Sequence, residues 1–141
     1  MGSEVLFANT RYDKYDVNQT LPAKFDRIID AMHMEDTVKG KWTAIKMHVG
    51  RNMGYSTVHP LFVKKLVDKL KSYGAKVFIT DQVVSGARAR GYTEDYLGVP
   101  VVQACGVVNK YYYEKQVDFK TFKNVDVAGH IHDAQVMIDF S

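Results

Sequence analysis

The sequence predicts an α/β domain, a three-layer Rossmann-like sandwich on a mostly parallel sheet. Three observations predict it. Short β-rich runs alternate with segments whose apolar residues recur at helical spacing. The runs Thr43–Val49 and Val77–Thr80 bracket one such segment as a βαβ unit, whose crossover is almost always right-handed. A glycine-bearing polar loop, His48 to His59, joins the first of those strands to the helix.

Each element follows from local chemistry. Glu4–Ala8 is expected as a first strand, and Asn9 to Asn18, with Tyr12, Asp13, Tyr15 and Asp16, as a polar loop. Leu21, Phe25, Ile28, Ile29 and Met32 fall on one helical face, predicting a helix over 21–33. Thr20 is its candidate N-cap, and Pro22 is tolerated in the first turn. Lys39-Gly40-Lys41 is a turn into the strand Thr43–Val49. Leu61, Phe62, Leu66, Val67 and Leu70 mark a second amphipathic helix, with a solvated face of Lys64, Lys65, Asp68, Lys69 and Lys71 and with Gly74 placed as its C′ glycine. Val77–Thr80 is a strand closing on Asp81. Ser85 to Tyr92 is a glycine- and arginine-bearing loop. Thr93 to Leu97 reads as a capped helical turn before Gly98, and Val99–Gln103 as a strand. Tyr111 to Val117 suits an edge strand or hairpin arm. Val125 to Ala134 mixes strand and helix signals, and Gln135–Phe140 is a last strand.

Size and composition bound the function. At 141 residues a single domain, 1–141, is expected. With 46% hydrophobic and 25% charged residues the chain is of ordinary globular type. A net charge of +3 eases anion binding but falls short of a nucleic-acid footprint, which needs basic residues gathered on one face. No apolar run approaches the ~18 residues of a membrane span, and the N-terminus lacks a signal pattern, so no membrane partner is expected. Cys105, the only cysteine, excludes an internal disulfide, a four-cysteine zinc site and a self-contained iron–sulfur cluster. It fits a reducing cytoplasm, the expected location. The chain ends at Ser141 as its last strand ends, where α/β sheets carry ligand loops. It is therefore expected to be the N-terminal portion of a longer protein, completed by the remainder of the parent polypeptide or a redox partner.

The loop from His48 to His59 carries the main candidate site. Gly50 and Gly54 permit close backbone approach. Pro60 at the first helical position would leave N–H groups and the positive dipole end free for a phosphate or carboxylate. Arg51 adds charge, and Asn52, Tyr55, Ser56 and Thr57 add hydrogen-bonding groups. The spacing does not make a Walker A loop, and no dinucleotide-binding glycine fingerprint follows any strand. Lys46 and His48 lie two apart on a strand and share a face. Asp81, closing the neighbouring parallel strand, is the natural partner for Lys46, so Lys46, His48 and Asp81 form a candidate acid–base cluster. Arg88 and Arg90 would close over the anion from the same rim. His130 and His132 read as solvated histidines, so no metal site is assigned. Cys105 reads as a buried small hydrophobe, and Tyr111, Tyr112 and Tyr113 as aromatics of an edge strand.

At Ile45–Gly50, Asn52, Gly54, Tyr55 and Pro60, then at Tyr73–Ala75, Phe78–Asp81, Gly98–Val102, Gly106 and Ala134–Ile138, the chain resembles the family called domain of unknown function 362. Members are usually longer, continue into a His-x-Lys-Gly-His motif, and often carry two [4Fe-4S] clusters in a ferredoxin-like insert. The resemblance implies an N-terminal piece of an iron–sulfur-associated protein, with no cofactor within this chain and [4Fe-4S] clusters in the missing C-terminal part. It places Lys46, His48, Asn52 and Asp81 on the family's polar rim. The chain departs from the pattern at Gln82–Ser85, where a more polar run is usual, and at Cys105, where an aspartate is common. The leading expectation is part of a redox or metal-dependent enzyme acting on a small anionic ligand. The alternative is a non-catalytic anion- or nucleotide-binding module, and the sequence leaves open which of the two holds.

Overall fold

The computed structural model describes residues 4–50 and 56–141. Its centre is a four-stranded parallel sheet of β1 (Trp42–Lys46), β2 (Lys76–Asp81), β3 (Val101–Gln103) and β6 (Val136–Asp139), in the order β3-β2-β1-β6. The hairpin of β4 (Tyr112–Phe119) and β5 (Phe122–Ala128) forms a separate antiparallel pair. The helices are α1 (Leu21–Ala31), α2 (Glu35–Val38), α3 (Pro60–Ser72), α4 (Glu94–Leu97) and α5 (Gly129–Asp133). This is the α/β, Rossmann-like architecture that the alternating pattern predicts. Among the described residues no helix is long and apolar enough to cross a membrane.

Local chemistry sets the helix ends. Thr20 is extended and its hydroxyl accepts from the Ala23 N–H at 3.5 Å, starting α1. Helix α3 ends in a Schellman pattern. Gly74, at φ +80°, donates to Lys71 O at 2.9 Å, and Ala75 N donates to Leu70 O at 3.1 Å. Thr93 caps α4 through the Tyr96 N–H, and Gly98 closes it in the left-handed region.

One sheet face is covered by α1 and α3. Val63, Leu66, Val67 and Leu70 of α3 and Ile29 of α1 pack with Ile45, Val77 and Ile79 of the sheet. Phe25 joins the two helices to the β6 edge, edge-on to Phe62 at 5.3 Å and stacked on Phe140 at 5.6 Å. Part of the lysine face expected to be solvated is turned toward α1: Lys65 pairs with Asp26 and Lys69 with Asp30. The other sheet face carries α5 and the hairpin base rather than a long helix. There the His130 ring lies 6.4 Å from Phe78, while Trp42 and Met137 stay about half exposed.

The expected first strand does not form. Glu4–Ala8 has no ladder partner, and Val5 and Phe7 are 84% and 85% exposed. β-Propensity reports fit to a pleated, half-buried surface, and β6 already occupies the place beside β1. The arm is held instead by the Lys24 ammonium, which donates to the carbonyls of Asn9 and Arg11. The ambiguous stretch from Val125 resolves into two elements, strand β5 and then α5.

Candidate functional site

The carboxyl ends of β1, β2 and β3 form one edge of the sheet, where parallel α/β sheets hold their ligands. Asp81 ends β2 there and organises the loop that follows β1. Its Oδ2 accepts from the Val49 N–H at 3.1 Å and lies 3.5 Å from His48 Nδ1, and its Oδ1 accepts from the Gln82 N–H at 2.8 Å. The expected Lys46–Asp81 ion pair is not formed. The turn backbone supplies obligatory donors nearer at hand, and they take both carboxylate oxygens. His48 keeps its imidazole outward, 55% exposed, against 14% for Asp81. An accessible imidazole beside a fixed carboxylate can move a proton.

Lys46 is half-buried at the end of β1, and its ammonium makes no hydrogen bond or ion pair with any described residue. It lines a cleft of about 560 Å³ together with Asp81, Gln82, Cys105, Asn109, Tyr112 and Asp126. Five of these liners, Gln82, Cys105, Asn109, Tyr112 and Asp126, were not assigned to a site by the sequence. Cys105 is half-buried at the cleft wall rather than in the core. Asn109 comes from the turn after β3, and Tyr112 and Asp126 arrive through the hairpin, whose strands pair residues distant in sequence.

The glycine loop is seen in part. Arg51, Asn52, Gly54 and Tyr55 lie outside the described residues. Gly50, at φ +78°, is in close contact with the Arg90 side chain, and the Gly50 carbonyl passes against Gly86. Arg90 Nη1 donates to Gly86 O at 3.2 Å. The Arg90 side chain is therefore packed where the 48–50 and 85–91 segments meet. Arg88 faces a different cleft, beside Thr93, Glu94 and Asp95, so the two arginines do not converge. The Tyr92 hydroxyl donates to the Val58 carbonyl and ties the same segment to the start of α3.

The start of α3 is closed to an anion more than expected. Pro60 has no N–H, Leu61 N donates to His59 Nδ1 at 3.2 Å, and Phe62 N donates to His59 O at 2.9 Å. His59 thus caps its own helix. Ser56 is exposed and Thr57 half-buried before it.

Beside the cleft, a polar clasp holds the hairpin base to α5. The Tyr111 hydroxyl donates to Asp133, whose second oxygen lies 2.9 Å from His132 Nδ1, and Tyr113 stacks on His132 at 4.0 Å. A Cβ on Gly129 would meet the Tyr111 ring at 2.4 Å, so only glycine fits there. Hydrogen bonds from His132 and Tyr111 hold the Asp133 carboxyl below its ordinary range, and the bond to Asp133 raises the Tyr111 phenol above its own. The signs set a window. The Asp133 contribution is present above the ordinary carboxylate value and lost as pH falls through the lowered one; the Tyr111 contribution is present below pH 10.0 and lost only as pH rises through the raised value. An alkaline titration followed by tyrosinate absorbance is expected to show one tyrosine ionising after the rest. Asp133→Asn should return it to the ordinary range; an unchanged late component would refute the assignment. Among the described residues no group of three or more His, Cys, Asp or Glu side chains is placed to hold a metal ion.

Fold and edge together define an α/β domain with a cleft at the carboxyl end of a parallel sheet. The chain belongs to the family described as domain of unknown function DUF362, whose model matches residues 43–141. The match takes in the whole sheet, α3 and the hairpin. No curated protein and no solved structure matches the chain.

Proposed function

We propose that this domain binds a small molecule through an anionic group, with Lys46 as the anchor in the cleft at the sheet edge. The observation that carries the reading is the half-buried Lys46 ammonium, which no described residue neutralises. A charge held out of bulk water without a partner is costly, and an incoming carboxylate or phosphate would supply one. His48, braced against Asp81, stands at the rim as the group able to give or take a proton.

The family resemblance adds a redox reading, a part of an iron–sulfur-associated enzyme. The donor set here does not fit a [4Fe-4S] cluster, which takes four thiolates, because the chain has Cys105 alone. Any such cluster belongs to another polypeptide segment or to a redox partner in the cytoplasm. Within this chain the chemistry is recognition and proton handling. Titration with acetate and with inorganic phosphate, followed by amide chemical shifts, is expected to give saturable changes at Lys46, Gln82 and Cys105. Lys46→Met should weaken both by about tenfold or more, a loss of roughly 1.4 kcal/mol. Anion binding that ignores Lys46→Met would refute this site.

A further inference from the structure

The charges that line the cleft narrow the ligand further, resting on the reading above. Lys46 contributes one positive charge to the lining, whereas Asp81 and Asp126 contribute two carboxylates. Asp81 is committed to the Val49 and Gln82 N–H groups and to His48. Asp126 is not. Its exposed carboxylate makes no hydrogen bond or ion pair with a described residue, and its register partner across the hairpin is Glu114, which likewise has no ion-pair partner among the described residues. Like charges directly opposite on an antiparallel pair destabilise it. Nothing on β4 or β5 relieves this pair, because Lys115 lies over the Tyr113 ring and Lys123 pairs with Asp118. A simple anion entering the cleft would meet Lys46 but also the uncompensated carboxylate of Asp126.

We propose that the cleft is built for a zwitterion of the amino-acid class, its anionic group on Lys46 and its ammonium on Asp126. The two ends come from different sheets, Lys46 from β1 of the parallel sheet and Asp126 from β5 of the hairpin. The ligand would span the cleft and bridge the two sheets. Asn109, Gln82 and the Tyr112 hydroxyl line the space between the charges, and none of their side chains is engaged with a described residue. They can supply neutral donors and acceptors to the middle of the molecule. The Asp126 charge then discriminates against plain anions, since the repulsion that rejects them becomes attraction for an ammonium.

The test uses the intact chain and a matched series. Glycine, β-alanine, 4-aminobutyrate and 6-aminohexanoate are titrated against acetate, propionate, butyrate and hexanoate, with amide chemical shifts as the readout. At least one amino acid is expected to bind tenfold or more tightly than the carboxylate of the same carbon count. Asp126→Asn should erase that advantage while leaving carboxylate binding equal or stronger, and Lys46→Met should weaken both series. Equal affinities within every matched pair, or an advantage that survives Asp126→Asn in a variant whose spectrum shows it folded, overturns the zwitterion and leaves the anion site standing. No binding by either series, with phosphate also inert, overturns the anion site itself.

Discussion

Gly86→Ala is expected to part the two segments that frame the ligand edge. A Cβ at this position would lie 2.3 Å from the Gly50 carbonyl oxygen and 2.8 Å from Arg90 Nη1. The arginine is the far end of a flexible chain and can retreat, but the carbonyl is backbone, and displacing it turns the peptide that leaves Gly50, the residue directly after Val49. Val49 is fully buried and its N–H is bonded to Asp81, so the displacement reaches the carboxylate that holds His48. Overpacking of this kind costs about 1–3 kcal/mol. Urea unfolding measures the cost, and amide shifts at Val49, Gly50 and Asp81 locate it. A variant with wild-type stability and unmoved signals would show that the two glycines do not touch.

Ile45→Ala should have the larger effect on stability. Ile45 lies on β1, flanked by Ile79 on β2 and Ile138 on β6, and its exposure is 0%. Truncating it opens a cavity where the central strand meets the helices, a site hemmed by paired backbone that cannot collapse. The expected loss is about 2–5 kcal/mol, a large share of the roughly 5–15 kcal/mol that stabilises a domain. Val107→Ala is the control. That side chain is 96% exposed, and its truncation should change stability by no more than about 0.5 kcal/mol. A cost below about 1 kcal/mol for Ile45→Ala in urea unfolding would contradict the placement of the core.

The elements most legible in the sequence are those specified by their own residues. Thr20, Thr93, Gly74 and Gly98 announce helix ends because capping is a matter of a few adjacent atoms. The stripe Leu66, Val67 and Leu70 identifies the buried face of α3 for the same reason. Glu4–Ala8 was misleading because a strand exists only with a neighbour, and that information lies elsewhere in the chain. The site divides along the same line. His48 and Asp81 could be matched from strand ends and parallel pairing. The separation of Arg88 from Arg90, the capping of α3 by His59 and the meeting of Asp126 and Lys46 in one cleft depend on how the chain crosses in space. Spacing alone carries none of that.

Asp81 belongs to two structures at once. One carboxylate fixes the backbone at Val49 and also forms part of the cleft wall. A molecule that settles in the cleft and favours one position of that carboxylate therefore favours one position of the His48 loop. Thermodynamic reciprocity makes the dependence mutual: whatever orders the loop strengthens occupancy of the cleft by the same factor. The residue that anchors the edge would in this sense be its transmission, carrying the binding event proposed at Lys46 to the imidazole beside it.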